Sequence, residues 1–379
     1  MKSKLKLLLV LLIIGQTTFA QQKLPLIKAN SKKVDIKDEN SFKKASWNIS
    51  PELKPDLYIT ANKNKKVTFY TDLDSISFIV KPNKQYDFII LLNNKDSALT
   101  RIVFVPTPLE TLKKADKYNL EDKRVIPNFT YQSSDNPNLV LLRKTLKLDS
   151  IAGAGNEVSQ ILNLLHWIHN LIPHDGRNGN PKIKNALNMI STCTKEKRAL
   201  DCRGLAMALN ECYLSMGYKS RYVFCLPKDS LGTDYDSHVI NMVYSKSHNK
   251  WLWIDPTFYA YVMNEKGELQ SIEEVRERLI NNLPLIINTD ANRNQVSPVM
   301  KEWYLNEYMA KNLYKLECSV SSEYNTETKE KGKTISYIQL LPLDDFRQFP
   351  DKEEIKDKAT ETKVIRYKTN NLNLFWQKP

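Results

Sequence analysis

The chain has no internal repeat, no glycine-rich phosphate loop and no paired CxxC motif. These absences argue in turn against a solenoid, a nucleotide-cradling loop, and a zinc ribbon or dithiol redox centre. Histidine is scarce, with five residues: His166, His169, His174, His238 and His248. His166, His169 and His174 lie close together, but no carboxylate–histidine motif of metal spacing accompanies them, so neither a metal nor a cofactor is expected. Only one long apolar run exists, Leu7 to Ile14, and it is too short to span a bilayer, so no transmembrane segment is expected. The formal charge of +13 comes without a basic patch, because the lysines are interspersed with acids. A solvated surface rather than a nucleic-acid partner follows.

What is present begins with a compartment signal. Lys2, Lys4 and Lys6 precede the apolar run, and Thr18-Phe19-Ala20 offers small residues for a peptidase. That is the pattern of a secretory signal over 1–20, which predicts an exported chain, periplasmic or extracellular. Less its three signal lysines, the +13 charge becomes +10, which is compatible with cell-envelope material as a partner. Five cysteines follow, Cys193, Cys202, Cys212, Cys225 and Cys318. In an oxidising compartment an odd count leaves at least one thiol over, and both two disulfides and none fit the rest.

The spacing predicts an α+β chain in three parts after the signal. Residues 21–108 read as a small antiparallel β module, with strands at Val67 to Thr71, Ile76 to Val80, Tyr86 to Leu92 and Thr100 to Val105. Residues 109–300 turn helical from Asn156, with Ile161, Leu164, Leu165, Ile168 and Ile172 at helical spacing. A second helix is expected over Lys182 to Ile190. A third is expected over Arg203 to Met216, with a stripe of Leu205, Leu209, Cys212 and Met216 and a left-handed stop at Gly217. Strands are expected at Ser220 to Leu226, Val239 to Tyr244 and Lys250 to Ile254, and a capping box at Ser271 to Glu274. Residues 301–379 form a mixed extension: an aromatic helix around Trp303 to Leu316, then strands at Ile335 to Leu341 and Lys363 to Lys368. Thr326 to Lys333 and Asp351 to Lys363 read as loops.

Chemistry gathers around Cys202. It follows Asp201, a good N-cap, and so falls in the first turn of the third helix. There the helix dipole favours a thiolate by roughly 0.3–1 kcal/mol, too little to ionise a thiol unaided, so a histidine partner is required. His238 and Asp255 supply one through a hairpin. If the strands on either side of Ser245 to Asn249 pair, these two residues share an index sum of 493, centred within that polar run. The register then brings a carboxylate beside an imidazole, and Pro256 stops the strand.

This order resembles the transglutaminase-like branch of the papain-type fold. Asp201-Cys-Arg-Gly-Leu-Ala206 is similar to its nucleophile motif, Gly217 to Val223 to the turn and strand that follow, Ser237-His238 to its histidine strand, and Trp253-Ile-Asp-Pro-Thr257 to its aspartate motif. Leu200 stands where the family often has glycine. The resemblance spans roughly Asn156 to Leu283. It implies a helix-borne cysteine packed on an antiparallel sheet. It also implies a Cys202–His238–Asp255 triad acting on peptide or amide bonds, as a protease, amidase or transglutaminase. The Cys202 backbone N–H would be one oxyanion donor; no second is identifiable. Trp253, Tyr235 and Asp236 are candidates for a groove that holds a peptide or protein substrate. A different class stays open, a catalytically silent module that keeps the fold as an envelope scaffold.

Overall fold

The computed structural model describes residues 24–46, 55–115, 117–228 and 236–379. The signal-like segment 1–20 and Tyr235 lie outside them. The chain divides into two compact units, 1–106 and 107–379.

The first unit is a pair of four-stranded sheets around one core. One sheet orders Leu26–Ala29, Gln85–Leu92, Asp96–Phe104 and Asp56–Thr60; the other orders Ser41–Ser46, Lys33–Asp38, Lys65–Tyr70 and Ser75–Val80. Ile36, Phe69, Phe88 and Ile102 are fully buried between them, and Phe69 meets Phe88 edge-on at 5.0 Å. The four expected strands are present, but the polar lead-in adds four more. Two of these are parallel to their neighbours, Leu26–Ala29 to Gln85–Leu92 and Asp56–Thr60 to Asp96–Phe104, so the module is mixed rather than antiparallel.

The second unit is built on a seven-stranded sheet. Its order is Lys250–Ile254, His238–Ser245, Ser220–Leu226, Lys315–Ser319, Thr334–Leu340, Lys363–Thr369 and Lys352–Lys356. Four of these strands come from beyond residue 300, so the C-terminal part extends the same sheet that carries His238. Side chains alternate between two buried faces. Val239, Val243, Leu252 and Ile254 face one cluster with the helices Glu157–Leu171, Ala186–Glu196 and Cys202–Ser215. Ile240, Met242, Trp251 and Trp253 face the other, with Ile272–Ile280 and the segment after Trp303.

Local chemistry sets the ends of these elements. Asp201 caps Cys202–Ser215 by accepting from Gly204 N, and Gly217 leaves that helix at φ +85°. The helix is buried on every side from Gly204 onward, not along one stripe, which fits a helix held between a sheet and its neighbours. Ser271 and Glu274 form the expected capping box. The second helix runs over Ala186–Glu196 rather than 182–190, because the Asn185 side chain caps it by accepting from Asn188 N at 2.9 Å. The expected aromatic helix is present but ends about four residues early and is π-helical for most of its length. A π-helical turn over Trp303–Met309 runs into Ala310–Asn312, and a buried strand begins at Lys315. Lys352–Lys356 forms an edge strand within a stretch expected to be loop, and its charge suits an exposed edge. Among the described residues no helix is long and apolar enough to cross a membrane.

Candidate active site

Cys202 opens its helix on a braced cap. Asp201 Oδ1 accepts from Gly204 N at 2.8 Å and from Asn180 Nδ2 at 2.6 Å, and Asp201 N donates to Asn180 Oδ1 at 3.3 Å. Glycine is required at 204 because a Cβ there would lie 2.8 Å from Asn180 Cγ and closer still to its Oδ1. Arg203 ties the same turn to Glu327, whose Oε1 also accepts from Tyr222 and Tyr337. All five cysteines are free thiols. Cys193, Cys212, Cys225 and Cys318 are buried, and burial pushes each thiol's pKa up, that of Cys318 to about 11. Cys202 alone is partly exposed.

His238 is buried, and its Nε2 lies 2.8 Å from Asp255 Oδ2. The strand register differs from expectation. Asn241 faces Ile254 and Ser245 faces Lys250, an index sum of 495 rather than 493. One step further, Asp255 would face Ile240, which makes His238 its diagonal neighbour. A shift of two residues keeps side chains on the same face, so the two groups still meet.

Asp255 is fully buried and its carboxylate is saturated. Oδ1 accepts from Thr257 N at 2.9 Å and Phe258 N at 3.3 Å; Oδ2 also accepts from Tyr304 Oη at 2.6 Å. The turn that carries it is held by His169, whose Nδ1 lies 2.9 Å from Pro256 O. Burial alone would lower the His238 pKa, but the charge and hydrogen bond of Asp255, joined by the Cys202 thiol, outweigh it and raise it. His238 Nδ1 is buried without a hydrogen-bond partner of normal geometry. The thiol contact is therefore looser than a formed hydrogen bond, as resting active sites often are. Phe258 and Tyr308 wall the imidazole at 5.5 and 5.2 Å, and Tyr308 stacks on the exposed Trp303 at 5.2 Å.

Of the groove candidates, Trp253 is corrected. It is fully buried and donates Nε1 to Tyr304 Oη at 3.1 Å, so it supports the carboxylate's partner instead of lining a groove. Asp236 is exposed and lies 2.6 Å from Lys311 Nζ. His166, His169 and His174 do not converge: His166 Nε2 meets Asn170, and both ring nitrogens of His169 are engaged. Tyr304, Tyr308 and Phe258 were missed. The first two lie about fifty residues past Asp255 with no motif to mark them, whereas Phe258 adjoins the aspartate motif and was within reach.

Residues 144–256 match the family model of the transglutaminase-like superfamily, a span that contains Cys202, His238 and Asp255. No curated protein matches the chain. A solved structure of a candidate cysteine protease from Cytophaga hutchinsonii is 18% identical over 39% of this chain and 46% of that one, with a TM-score of 0.25. The match thus spans less than half of that protein's length. The chain has an α+β fold with a transglutaminase-like core.

Proposed function

We propose that the protein is an exported thiol enzyme that transfers acyl groups from peptide or amide bonds through Cys202, His238 and Asp255. The observation that carries this reading is the buried 2.8 Å contact between His238 Nε2 and Asp255 Oδ2, on an imidazole whose cationic form the Cys202 thiol helps to stabilise. His238 takes the Cys202 thiol proton as the thiolate–imidazolium pair forms, and Sγ then bonds to the carbonyl carbon. The carbonyl's π pair moves onto oxygen, then returns and expels the amine, which leaves with the proton from His238. Water or a second amine resolves the thioester. Asp255 holds the ring's orientation and stabilises its charge throughout. Export is supported by the lysine-led apolar segment at 1–20.

The test is incubation of wild type and Cys202→Ala with a peptide mixture, read by mass. Cleavage, deamidation or amine incorporation that requires Cys202 supports acyl transfer and identifies its outcome. No change with any peptide or amine would favour the silent scaffold.

A further inference from the structure

An acyl-transfer site gains most from two hydrogen-bond donors aimed at the oxygen that becomes an anion. The Cys202 backbone N–H is one, since the first N–H groups of a helix have no acceptor within it. The second follows from the strand-like segment beside the residues leading into Cys202.

His174 forms a parallel bridge with Leu200. Asp175 N donates to Leu200 O at 2.8 Å and Leu200 N donates to Pro173 O at 3.1 Å. His174 therefore runs alongside the approach to the nucleophile. From its other side Asn294 clamps the backbone: Oδ1 accepts from His174 N at 2.7 Å and Nδ2 donates to His174 O at 3.0 Å. The ring lies within electrostatic reach of His238, Asp255 and Asp201, the last of these the cap residue next to Cys202. Its Nδ1 is buried without a partner, whereas Nε2 makes no protein hydrogen bond and stays open to solvent.

On the acyl-transfer reading above, we infer that His174 is the second oxyanion donor, acting through its Nε2–H. The tautomer follows from burial. A proton on Nδ1 would be an orphaned buried donor, which proteins avoid more strictly than an orphaned acceptor. With the proton on Nε2, the donor is at the nitrogen open to an incoming carbonyl. The charge state suits the task as well. Burial first, then the positive charges of His238 and Arg293, push the His174 pKa down to about 4. The ring is therefore neutral near pH 7, and it donates a hydrogen bond without contesting the proton that His238 carries. When Sγ bonds to carbon and the π pair moves onto oxygen, Cys202 N–H and His174 Nε2–H hold that oxygen. They release it as the double bond re-forms and the leaving group departs.

Two reactions of one thiol separate this role from a structural one. Alkylation by iodoacetamide displaces iodide and forms no oxyanion, whereas acylation by p-nitrophenyl acetate passes through one and releases p-nitrophenolate. His174→Ala is expected to alkylate at Cys202 within a factor of about two of wild type, while its p-nitrophenolate burst slows by roughly ten- to a hundredfold. His174→Gln, which keeps an N–H donor, should recover most of the burst rate. Parallel loss of both reactions in both variants, or loss of neither, would overturn the inference. A wild-type protein that alkylates at Cys202 but gives no burst would instead overturn the acyl-transfer reading, and this inference with it.

Discussion

Tyr304 donates its hydroxyl to Asp255 Oδ2 at 2.6 Å, the same oxygen that lies 2.8 Å from His238 Nε2. Trp253 Nε1 in turn donates to that hydroxyl at 3.1 Å. A buried chain of hydrogen bonds thus runs from an indole to the imidazole, and one phenol orients the carboxylate. Burial holds the Tyr304 pKa well above its usual value, so the phenol remains a donor. Tyr304→Phe should cost about 1–3 kcal/mol in urea unfolding, because it strands the Trp253 N–H. It should also slow Cys202 alkylation several-fold by loosening Asp255. Unchanged stability would show that the Trp253 N–H does not depend on the Tyr304 hydroxyl.

The His238–Asp255 contact predicts how stability varies with pH. The folded His238 pKa is raised above the roughly 6.5 of an unfolded histidine. Its stabilisation is therefore complete below about pH 6.5 and is lost as pH rises through the folded value. Asp255→Asn should cost about 3–5 kcal/mol near pH 6, the usual penalty for breaking a buried pair. The gap between variant and wild type should narrow steadily on the alkaline side. A gap independent of pH would mean that His238 is not charged in the fold.

Gly204→Ala tests the brace beneath the nucleophile. The new Cβ would collide with Asn180, whose amide holds the Asp201 cap. A loss of about 1–3 kcal/mol is expected, together with slower labelling of Cys202 as its helix start shifts. Asn180→Ala in the same protein removes the collision and should restore part of the stability. If the double variant is no better than Gly204→Ala, the cost lies elsewhere.

Glu327 joins the C-terminal part of the chain to the helix that carries Cys202. It is buried, and it accepts from Tyr222 Oη at 3.0 Å and Tyr337 Oη at 2.8 Å besides pairing with Arg203. Arg203 is about a third exposed, so the ion pair itself adds little. The two buried hydroxyls decide the outcome. Glu327→Ala should cost more than about 2 kcal/mol by leaving both without an acceptor. A loss below about 0.5 kcal/mol in denaturant melts would refute that assignment.

Much of the site was legible because its signals are local. Asp201, Gly217 and the polar run Ser245 to Asn249 mark a helix start, a helix stop and a hairpin turn without reference to anything distant. The His238–Asp255 meeting even survived a two-residue register error, since a strand's side chains repeat every two residues. What escaped depends on tertiary contact. Lys33–Asp38, in a polar lead-in, and Lys352–Lys356, in a stretch that reads as loop, carry so much charge that neither stands out as a strand until its partner is known. Trp253 alternates correctly for a sheet face, but alternation cannot say whether that face is covered. Tyr304 and His174 reach the site from elements 49 residues after Asp255 and 28 residues before Cys202, with no periodic signal to tie them to it.

The most direct measurement is iodoacetamide labelling near neutral pH, mapped by peptide mass, in wild type and His238→Ala. Wild type should label at Cys202 ahead of the four buried cysteines. In His238→Ala that labelling should fall by about tenfold or more, since a cysteine's thiolate near neutral pH depends on a cationic neighbour. Equal labelling of Cys202 in the two proteins would contradict the account.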